Sequence, residues 1–422
     1  MVFTFLDDLH SRGIIENKTS NIDFFSSNNK VKAYLGIDPT AKSLHVGHLV
    51  PLLILFRLQQ YGHTPFLLIG GATGMIGDPS FKSQERVFLE NKDIEENKTC
   101  IKKQINDIIK LNSKEEIHIV DNKDWYSEMS IINFLREAGK HITVSYMLAK
   151  DSVKRRINNN LSFTEFSYQV LQSYDFYYLY KKYGVNLQIG GGDQWGNITT
   201  GIDFIRKKCG EEVHGFTIKL LTKKDGAKFG KTEKGNIWLD KTLTLPYDFY
   251  QFWINMSDDE AENIIKIFSS KSIEQINTLI SDHCADKEKR ILQKEIAHEM
   301  TAFVHGEKIY NDIIMVTNIL FNSEFKISEN VNFRAILENI AHVSILTSRF
   351  NVYDTIYDML SDLCVPELFS SKSEIKRTLV DNIISINKEK YSLSDKVENI
   401  KLIQNCALIQ RGKKHFYAII VE

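Results

Sequence analysis

The sequence lacks a surplus of either charge. Its 53 Lys and Arg residues against 54 Asp and Glu leave a formal −1. That excludes a polycation coating nucleic acid, so any RNA contact must come from local patches. Cysteine is sparse: Cys100, Cys209, Cys284, Cys364 and Cys406 are odd in number, far apart and without metal-ligand spacing. They read as reduced thiols, mostly core, in a cytosolic protein. No apolar run reaches the ~20 residues of a membrane-spanning helix. The N-terminus carries Asp7 and Asp8 and looks like neither a signal peptide nor an Arg-rich transit peptide. Internal repeats and low-complexity tracts are absent as well. What is present is a chain of 422 residues, 43% hydrophobic, long enough for two or three domains.

Up to about residue 225, short apolar runs alternate with helical patterns. Val31–Asp38, Pro65–Gly71, Ile117–Asn122, Asn186–Gly192 and Phe216–Leu221 read as strands. Their apolar character is nearly continuous, as in strands buried on both faces, which predicts an α/β domain with a parallel sheet. Ligands bind such sheets beyond the carboxyl ends of the strands, and three glycine-rich segments fall at those ends: GID, GGATGMIGDPS and GGGDQWGN. Pro246 to Leu320 is helical in pattern, and Asn322 to Asn332 is polar. Leu363 to Glu422 carries ten Lys/Arg against seven Asp/Glu, hence +3.

HVGH (His45–His48) opens an apolar helical run that contains Pro51. Proline is tolerated only in the first turn, so the helix should start near Gly47 with both histidines at its N-terminus. Free amide hydrogens and the positive end of the helix dipole favour anions there, and Gly47 leaves room for an adenine ring. By itself the motif reads more readily as two surface histidines on an ordinary helix. KFGKT (Lys228–Thr232) is a glycine-containing loop with two lysines, suited to closing over a triphosphate; alone it is an ordinary solvated basic loop. Tyr168, Gln172 and Asp175 recur at i, i+4 and i+7, one polar helix face that either lines a pocket or meets solvent.

Together HVGH and KFGKT resemble the two signatures of the class I aminoacyl-tRNA synthetases. YLGIDPTAKSLHVGHL, GGATGMIGDPS, SYQVLQSYDF, QIGGGDQWGNI, LLTKKDGAKFGKT and PYDFYQFWIN narrow the resemblance to the tyrosyl-tRNA synthetase family, over most of the first 255 residues. The resemblance implies a Rossmann-like catalytic domain over 1–225 with an inserted helical dimer-interface region. The lysine signature loop and an α-helical domain would follow over 226–325, then a linker over 326–355 and a small α+β RNA-binding module over 356–422. The expected partners are L-tyrosine, ATP with Mg²⁺, tRNA and a second copy of the chain. No resident metal or tightly bound cofactor is implied.

It also implies residue roles. Tyr34 and Asp175 would bond the phenolic hydroxyl of tyrosine, and Asp78, Tyr168 and Gln172 its ammonium group, with Gln188 in support and Gln194 beside both substrates. Gly36, Asp38, Gly47, Gly190, Gly192 and Asp193 would surround the adenylate. Thr40, His45 and His48 would meet the phosphates and nucleotide; Lys82, Arg86, Lys228, Lys231 and Thr232 would hold pyrophosphate. Lys150, Lys154, Arg206, Lys207 and Lys208, and in the C-terminal module Lys372, Lys376, Arg377 and Lys388, are candidate tRNA contacts. Two departures stand out. Leu35 replaces a small polar residue near the ribose, and the module lacks its usual glycine pair, with Asp381 and Asn382 there instead. Rival readings are a tryptophanyl enzyme, a small-molecule nucleotidyltransferase and a catalytically idle RNA-binding relative.

Overall fold

The apolar runs at Lys32–Ile37, Thr64–Ile69, His118–Asp121, Leu187–Gly191 and His214–Ile218 form five parallel strands, β2 to β6 in chain order, with a short β1 at Ile15–Lys18. The computed structural model describes the chain apart from residues 1–3, 21, 23–29, 79, 81–88, 155–156, 158–160, 222–228, 233–234, 322–331, 365–366 and 413–414. The described residues divide into two units, 1–240 with 256–296, and 241–255 with 297–422.

In the first unit the strand order is β1-β6-β5-β2-β3-β4. The chain leaves β2 toward β3 and β4 and later returns on β2's other side as β5. The crevice between the carboxyl ends of β2 and β5 is therefore the topological switch point, where open α/β sheets bind ligands. The centre of the sheet is apolar on both faces: Ala33, Tyr34, Leu35, Phe66, Leu67, Leu187 and Ile189 are buried. The helix Leu49–Gln60 is apolar almost all round and lies buried, and Pro51 occupies its first turn as the spacing predicts. Helices Phe163–Tyr183 and Trp195–Cys209 each stop on a glycine, Gly184 and Gly210, at φ near +70°.

Two strand readings change. β1 is an additional edge strand, antiparallel to β6, so the sheet is mixed. Its sequence, IENK, is too short and polar to signal a strand. β6 runs His214–Ile218, ending three residues before the predicted limit, and Leu220 is exposed.

The second unit contains the helices Pro246–Ile254, Glu307–Phe321, Phe333–Leu337, Ile356–Leu363 and Lys372–Val380. Its five-stranded sheet has the order β11-β10-β12-β13-β9, made of β9 His342–Ile345, β10 Ile384–Ile386, β11 Glu389–Lys390, β12 Cys406–Arg411 and β13 His415–Val421. The stretch read as a linker over 326–355 is thus partly folded. Phe333, Ile336, Leu337 and Ile340 are buried, and β9 pairs in parallel with β13. Helix Asp258–Phe268, assigned to a separate helical domain, belongs to the first unit, where its stripe of Ala261, Ile264, Ile265 and Phe268 is buried. At the chain's end β12 pairs antiparallel with β13. Among the described residues no helix is long and apolar enough to cross a membrane.

The missing glycine pair is compensated by backbone conformation. Asn382 takes the left-handed region at φ 52°, and Asn387 and Lys388 form a two-residue hairpin turn with φ of 48° and 71°. Asparagine tolerates that region, but lysine is strained there by about 1 kcal/mol or more. Lys388→Gly should raise the unit's thermal midpoint by an amount equivalent to about 1 kcal/mol. A lowered midpoint would mean that the lysine's side-chain contacts outweigh the strain.

Candidate active site

The HVGH segment is a single tight turn, Val46–His48, leading into the helix Leu49–Gln60. The His45 ring accepts the Gly47 N–H at Nδ1 (3.1 Å), and the His48 ring accepts the His45 N–H at Nδ1 (3.2 Å). A neutral imidazole that accepts through one nitrogen carries its proton on the other, so both rings present an Nε2–H donor. The rings lie 4.1 Å apart. Burial, and then the neighbouring His45, push the pKa of His48 down to about 3, so it stays neutral. Gly47 is required for this fold-back, because a Cβ there would stand 2.8 Å from His45 Cε1.

The lysine segment is fastened to this turn by main-chain hydrogen bonds. The Val46 N–H donates to the Ile237 carbonyl (3.0 Å), the Leu239 N–H to the Leu44 carbonyl (2.8 Å) and the Ile237 N–H to the Gly230 carbonyl (3.1 Å). Gly230 has φ +81°, and a Cβ on it would collide with Val46 Cγ2 at 2.1 Å. Lys231 consequently lines the same cavity as His45 and His48. Lys228, Lys82 and Arg86 lie outside the described residues.

That cavity, about 530 Å³, opens at the switch point. Tyr34, Leu35, Gly36, Asp38, Thr40, Gly47, Asp78, Tyr168, Gln172, Asp175, Gln188, Gly190, Asp193 and Gln194 all line it with the histidines and Lys231. The polar face of helix Phe163–Tyr183 is thus a cavity wall and not a solvent stripe. Gly192 and Thr232 are not among its lining residues, although their neighbours Gly191 and Lys231 are.

One end of the cavity is buried and polar. Asp175 is fully buried and accepts from Trp125 Nε1 (3.0 Å) and Asn122 Nδ2 (3.1 Å). Burial raises its pKa to about 7 against those bonds. Burial and the nearby Asp175 hold the Tyr34 phenol far above its ordinary value, so it is a neutral hydroxyl. Tyr34 Oη and Gln188 Oε1 are buried and unpartnered among the described residues. A buried polar atom left without a partner costs roughly 1–3 kcal/mol, which a ligand bringing a polar group would relieve.

Further along, Asp38 accepts from Tyr168 Oη and from Thr73 Oγ1, both at 2.9 Å. Thr73 in turn accepts from Asn122 at 2.9 Å. Asp78 accepts from Gln194 Nε2 at 2.6 Å, and Asn197 bridges to Gln172 Oε1 and Gln194 Oε1. The sequence reading missed Thr73, Asn122, Trp125 and Asn197. Thr73 and Asn197 sit inside the quoted glycine-rich segments, whereas nothing local marks Asn122 and Trp125.

The basic residues outside the cavity fare differently. Lys208 is largely covered and pairs with Glu137 (2.6 Å). Arg206 and Lys207 both pair with Asp203. Lys150 donates to Tyr146 Oη (2.7 Å) and Thr199 Oγ1 (3.0 Å). Lys154, Lys372, Lys376, Arg377 and Lys388 are exposed.

An open α/β sheet with an imidazole turn and a lysine segment on one cavity is the arrangement of a nucleotide-activating enzyme. The family model of the class I tRNA synthetases (W and Y) matches residues 26–322. The chain belongs to that family. Tyrosine–tRNA ligase of Amoebophilus asiaticus is 44% identical over 428 residues, covering 100% of both chains. That of Bacteroides thetaiotaomicron is 45% identical, over 99% of this chain and 100% of its own. A C-terminally truncated mitochondrial tyrosyl-tRNA synthetase of Aspergillus nidulans superposes with a TM-score of 0.69 at 27% identity, covering 75% of this chain and 94% of that one. A tryptophanyl-tRNA synthetase of Encephalitozoon cuniculi (TM-score 0.51, 16% identity, 71% and 86% covered) shares the fold alone. Within the family this chain is a bacterial-type tyrosyl-tRNA synthetase, a tyrosine–tRNA ligase.

Asp175 gives the free protein a pH signature. Its folded pKa is raised above the unfolded carboxylate value, so the native state binds the extra proton. The stability tied to that proton is full below about pH 4 and is lost as pH rises toward 7. Asp175→Asn should flatten the fall in stability between pH 5 and 7, a slope of at most roughly 1.4 kcal/mol per pH unit. Chemical denaturation at several pH values measures it; an unchanged slope would show that Asp175 does not titrate there.

Proposed function

We propose that this cavity forms tyrosyl-adenylate from L-tyrosine and Mg²⁺-bound ATP, for transfer of the tyrosyl group to the 3′ end of tRNA. The observation that carries the reading is the unpartnered, buried Tyr34 hydroxyl beside buried Asp175, on the same cavity as His45, His48 and Lys231. A phenol fits that end: it donates its proton to Asp175 and accepts from Tyr34. Phenylalanine would leave Tyr34 Oη unpartnered and bring no donor to Asp175, a form of discrimination for which tyrosyl-tRNA synthetase is itself the standard example.

Asp78, Tyr168 and Gln172 would take the ammonium group, with Gln188 and Gln194 supporting. The substrate carboxylate would then face the α-phosphorus of ATP, with Gly36, Asp38, Gly190, Gly192 and Asp193 around the adenosine. Leu35 would leave that side of the ribose without a polar contact. Attack by the carboxylate oxygen forms the acyl–phosphate bond while the bond to pyrophosphate breaks. No covalent nucleophile from the protein is needed, so positioning and electrostatics carry the rate. Thr40 and the Nε2–H groups of His45 and His48 would donate to phosphate oxygens. Lys231 and Thr232 would meet the departing pyrophosphate, with Lys82, Arg86 and Lys228 completing its binding by resemblance.

In the second unit, exposed Lys372, Lys376 and Arg377 share one helix, with Lys388 on the hairpin turn. That supports the reading of an RNA-binding module, and Lys150, Lys154, Arg206 and Lys207 are candidate contacts in the first unit. Exposed Ile131, Ile132 and Leu135 on helix Ile131–Glu137, and Val144 on helix Val144–Leu148, support a homodimer interface there. The cytoplasm, where charging takes place, fits the free cysteines.

Tyrosine-dependent ATP–pyrophosphate exchange tests the reading, with tryptophan and phenylalanine as alternatives; turnover with tryptophan instead would overturn it. His45→Ala should lower kcat of activation by about 100-fold, roughly 3 kcal/mol, while leaving the tyrosine Kd within about twofold. Parallel losses would contradict a transition-state role. Lys372→Ala, Lys376→Ala and Arg377→Ala combined should lower kcat/KM for tRNA charging about tenfold or more and reduce its salt dependence, with exchange unchanged.

A further inference from the structure

The lysine segment has a second attachment, independent of its hydrogen bonds to the histidine turn. The ring of Phe229 packs against Phe268, centroids 5.9 Å apart at 40°. Phe268 is buried and is the last residue of helix Asp258–Phe268, so its place depends on how that helix end is held.

The helix end is held by two buried arginines. Arg12 Nη1 donates to the carbonyls of Lys266 (3.0 Å) and Ser269 (2.9 Å), and Arg12 Nη2 to that of Lys271 (2.6 Å). Arg57 Nη2 donates to the carbonyls of Ile267 and Ser269, each at 2.8 Å. Asp8 lies between the guanidiniums, 2.8 Å from Arg12 Nε and 3.8 Å from Arg57 Nε. All three side chains are buried. Two cations and one anion would leave a net buried charge, but the carbonyls at a helix C-terminus form a negative pole that compensates it. The planar fork of arginine lets one side chain reach several carbonyls at once, which lysine could not do.

Arg57 is in the last turn of helix Leu49–Gln60, the helix that the histidine turn begins. One helix thus carries His45 and His48 before its first residue and anchors the support of Phe229 at its other end. We propose that Phe268 is a positioning residue for activation: it sets the place of Phe229, and through it that of Lys231, with the Asp8–Arg12–Arg57 cluster fixing Phe268. Phe268 is not among the residues lining this cavity; it acts through Phe229, which is. The inference rests on the proposed role of Lys231 at pyrophosphate.

The experiment compares full-length wild type with Phe268→Ala, Phe268→Leu, Phe229→Ala and the Phe229→Ala/Phe268→Ala double variant. Tyrosine-dependent exchange gives kcat and the KM for ATP, and tyrosine binding is read separately by intrinsic fluorescence. Phe268→Ala should lower kcat about tenfold with the tyrosine Kd within about twofold, Phe268→Leu should recover most of the loss, and the double variant should be no slower than Phe229→Ala. If Phe268→Ala unfolds, Phe229→Ala carries the comparison, because Phe229 lines the cavity and is not part of the buried core. The proposal is overturned if kcat is unchanged in folded Phe268→Ala or in Phe229→Ala, if the two losses multiply in the double variant, or if tyrosine binding falls in parallel with kcat. Failure of the wild type to exchange at all would instead strike the functional reading.

Discussion

Two main-chain hydrogen bonds decide whether this molecule has an active site. The Val46 N–H to the Ile237 carbonyl and the Leu239 N–H to the Leu44 carbonyl join segments nearly two hundred residues apart. Without them His45 and His48 would decorate one loop and Lys231 another. Side chains could not do this as well, because a main-chain pair fixes both position and direction, while a lysine reaching across would search several rotamers. Gly230 belongs to the same constraint. Its positive φ and missing Cβ let the lysine segment lie against Val46 at a distance that no larger residue allows. The closeness of the two motifs is thus a property of backbone geometry, and the charges are carried by it.

How much of this is legible in the sequence depends on whether the signal is local. Pro51 dates the start of its helix because a proline deeper inside would clash, and the structure has it in the first turn. The helical spacing of Tyr168, Gln172 and Asp175 is likewise enough to put them on one face, though not to say that the face looks into a cavity. β1 fails because an edge strand of four residues with alternating burial needs no apolar signature. The stretch 332–345 fails for a different reason. The polar tract before it resembles a linker, and the burial of Phe333 and Ile336 depends on β13, some eighty residues later. Asn122 and Trp125 could not be found at all. Their importance is a distance to Asp175, and distance across the fold is not written in any neighbouring residue.

Beside its other carboxylates and Lys231, the cavity holds three titratable groups that burial keeps neutral or close to it. His48 is neutral, Tyr34 is neutral, and Asp175 sits at the edge of protonation around neutral pH. Burial is the largest cause in all three, since each charged form would lose its hydration, and a neighbouring like charge adds to it. In the proposed reading the substrates bring most of the charge, and what meets them is two Nε2–H dipoles fixed by the histidine turn, together with the Lys231 ammonium. Dipoles held by the fold need no reorganisation when a phosphate arrives, which is the condition under which electrostatic stabilisation is most effective.

The two ends of the cavity are not independent. Asn122 donates to both Asp175 and Thr73, Thr73 donates to Asp38, and Tyr168 donates to the other oxygen of Asp38. Tyr168 and Asp175 are in turn two turns apart on one helix, so the hydrogen-bonded path and the helix close a ring around the cavity wall. Each member accepts or donates in a way that fixes the next: Asn122 cannot flip without turning its carbonyl toward Asp175, and Thr73 cannot rotate without releasing Asp38. A rigid ring suits a reaction whose two substrates must meet within a fraction of an ångström. It also explains why residues that touch neither substrate in this reading, Thr73 and Asn122, are buried between Asp175 and Asp38. Neither carboxylate could keep its aim if the groups between them were free to turn.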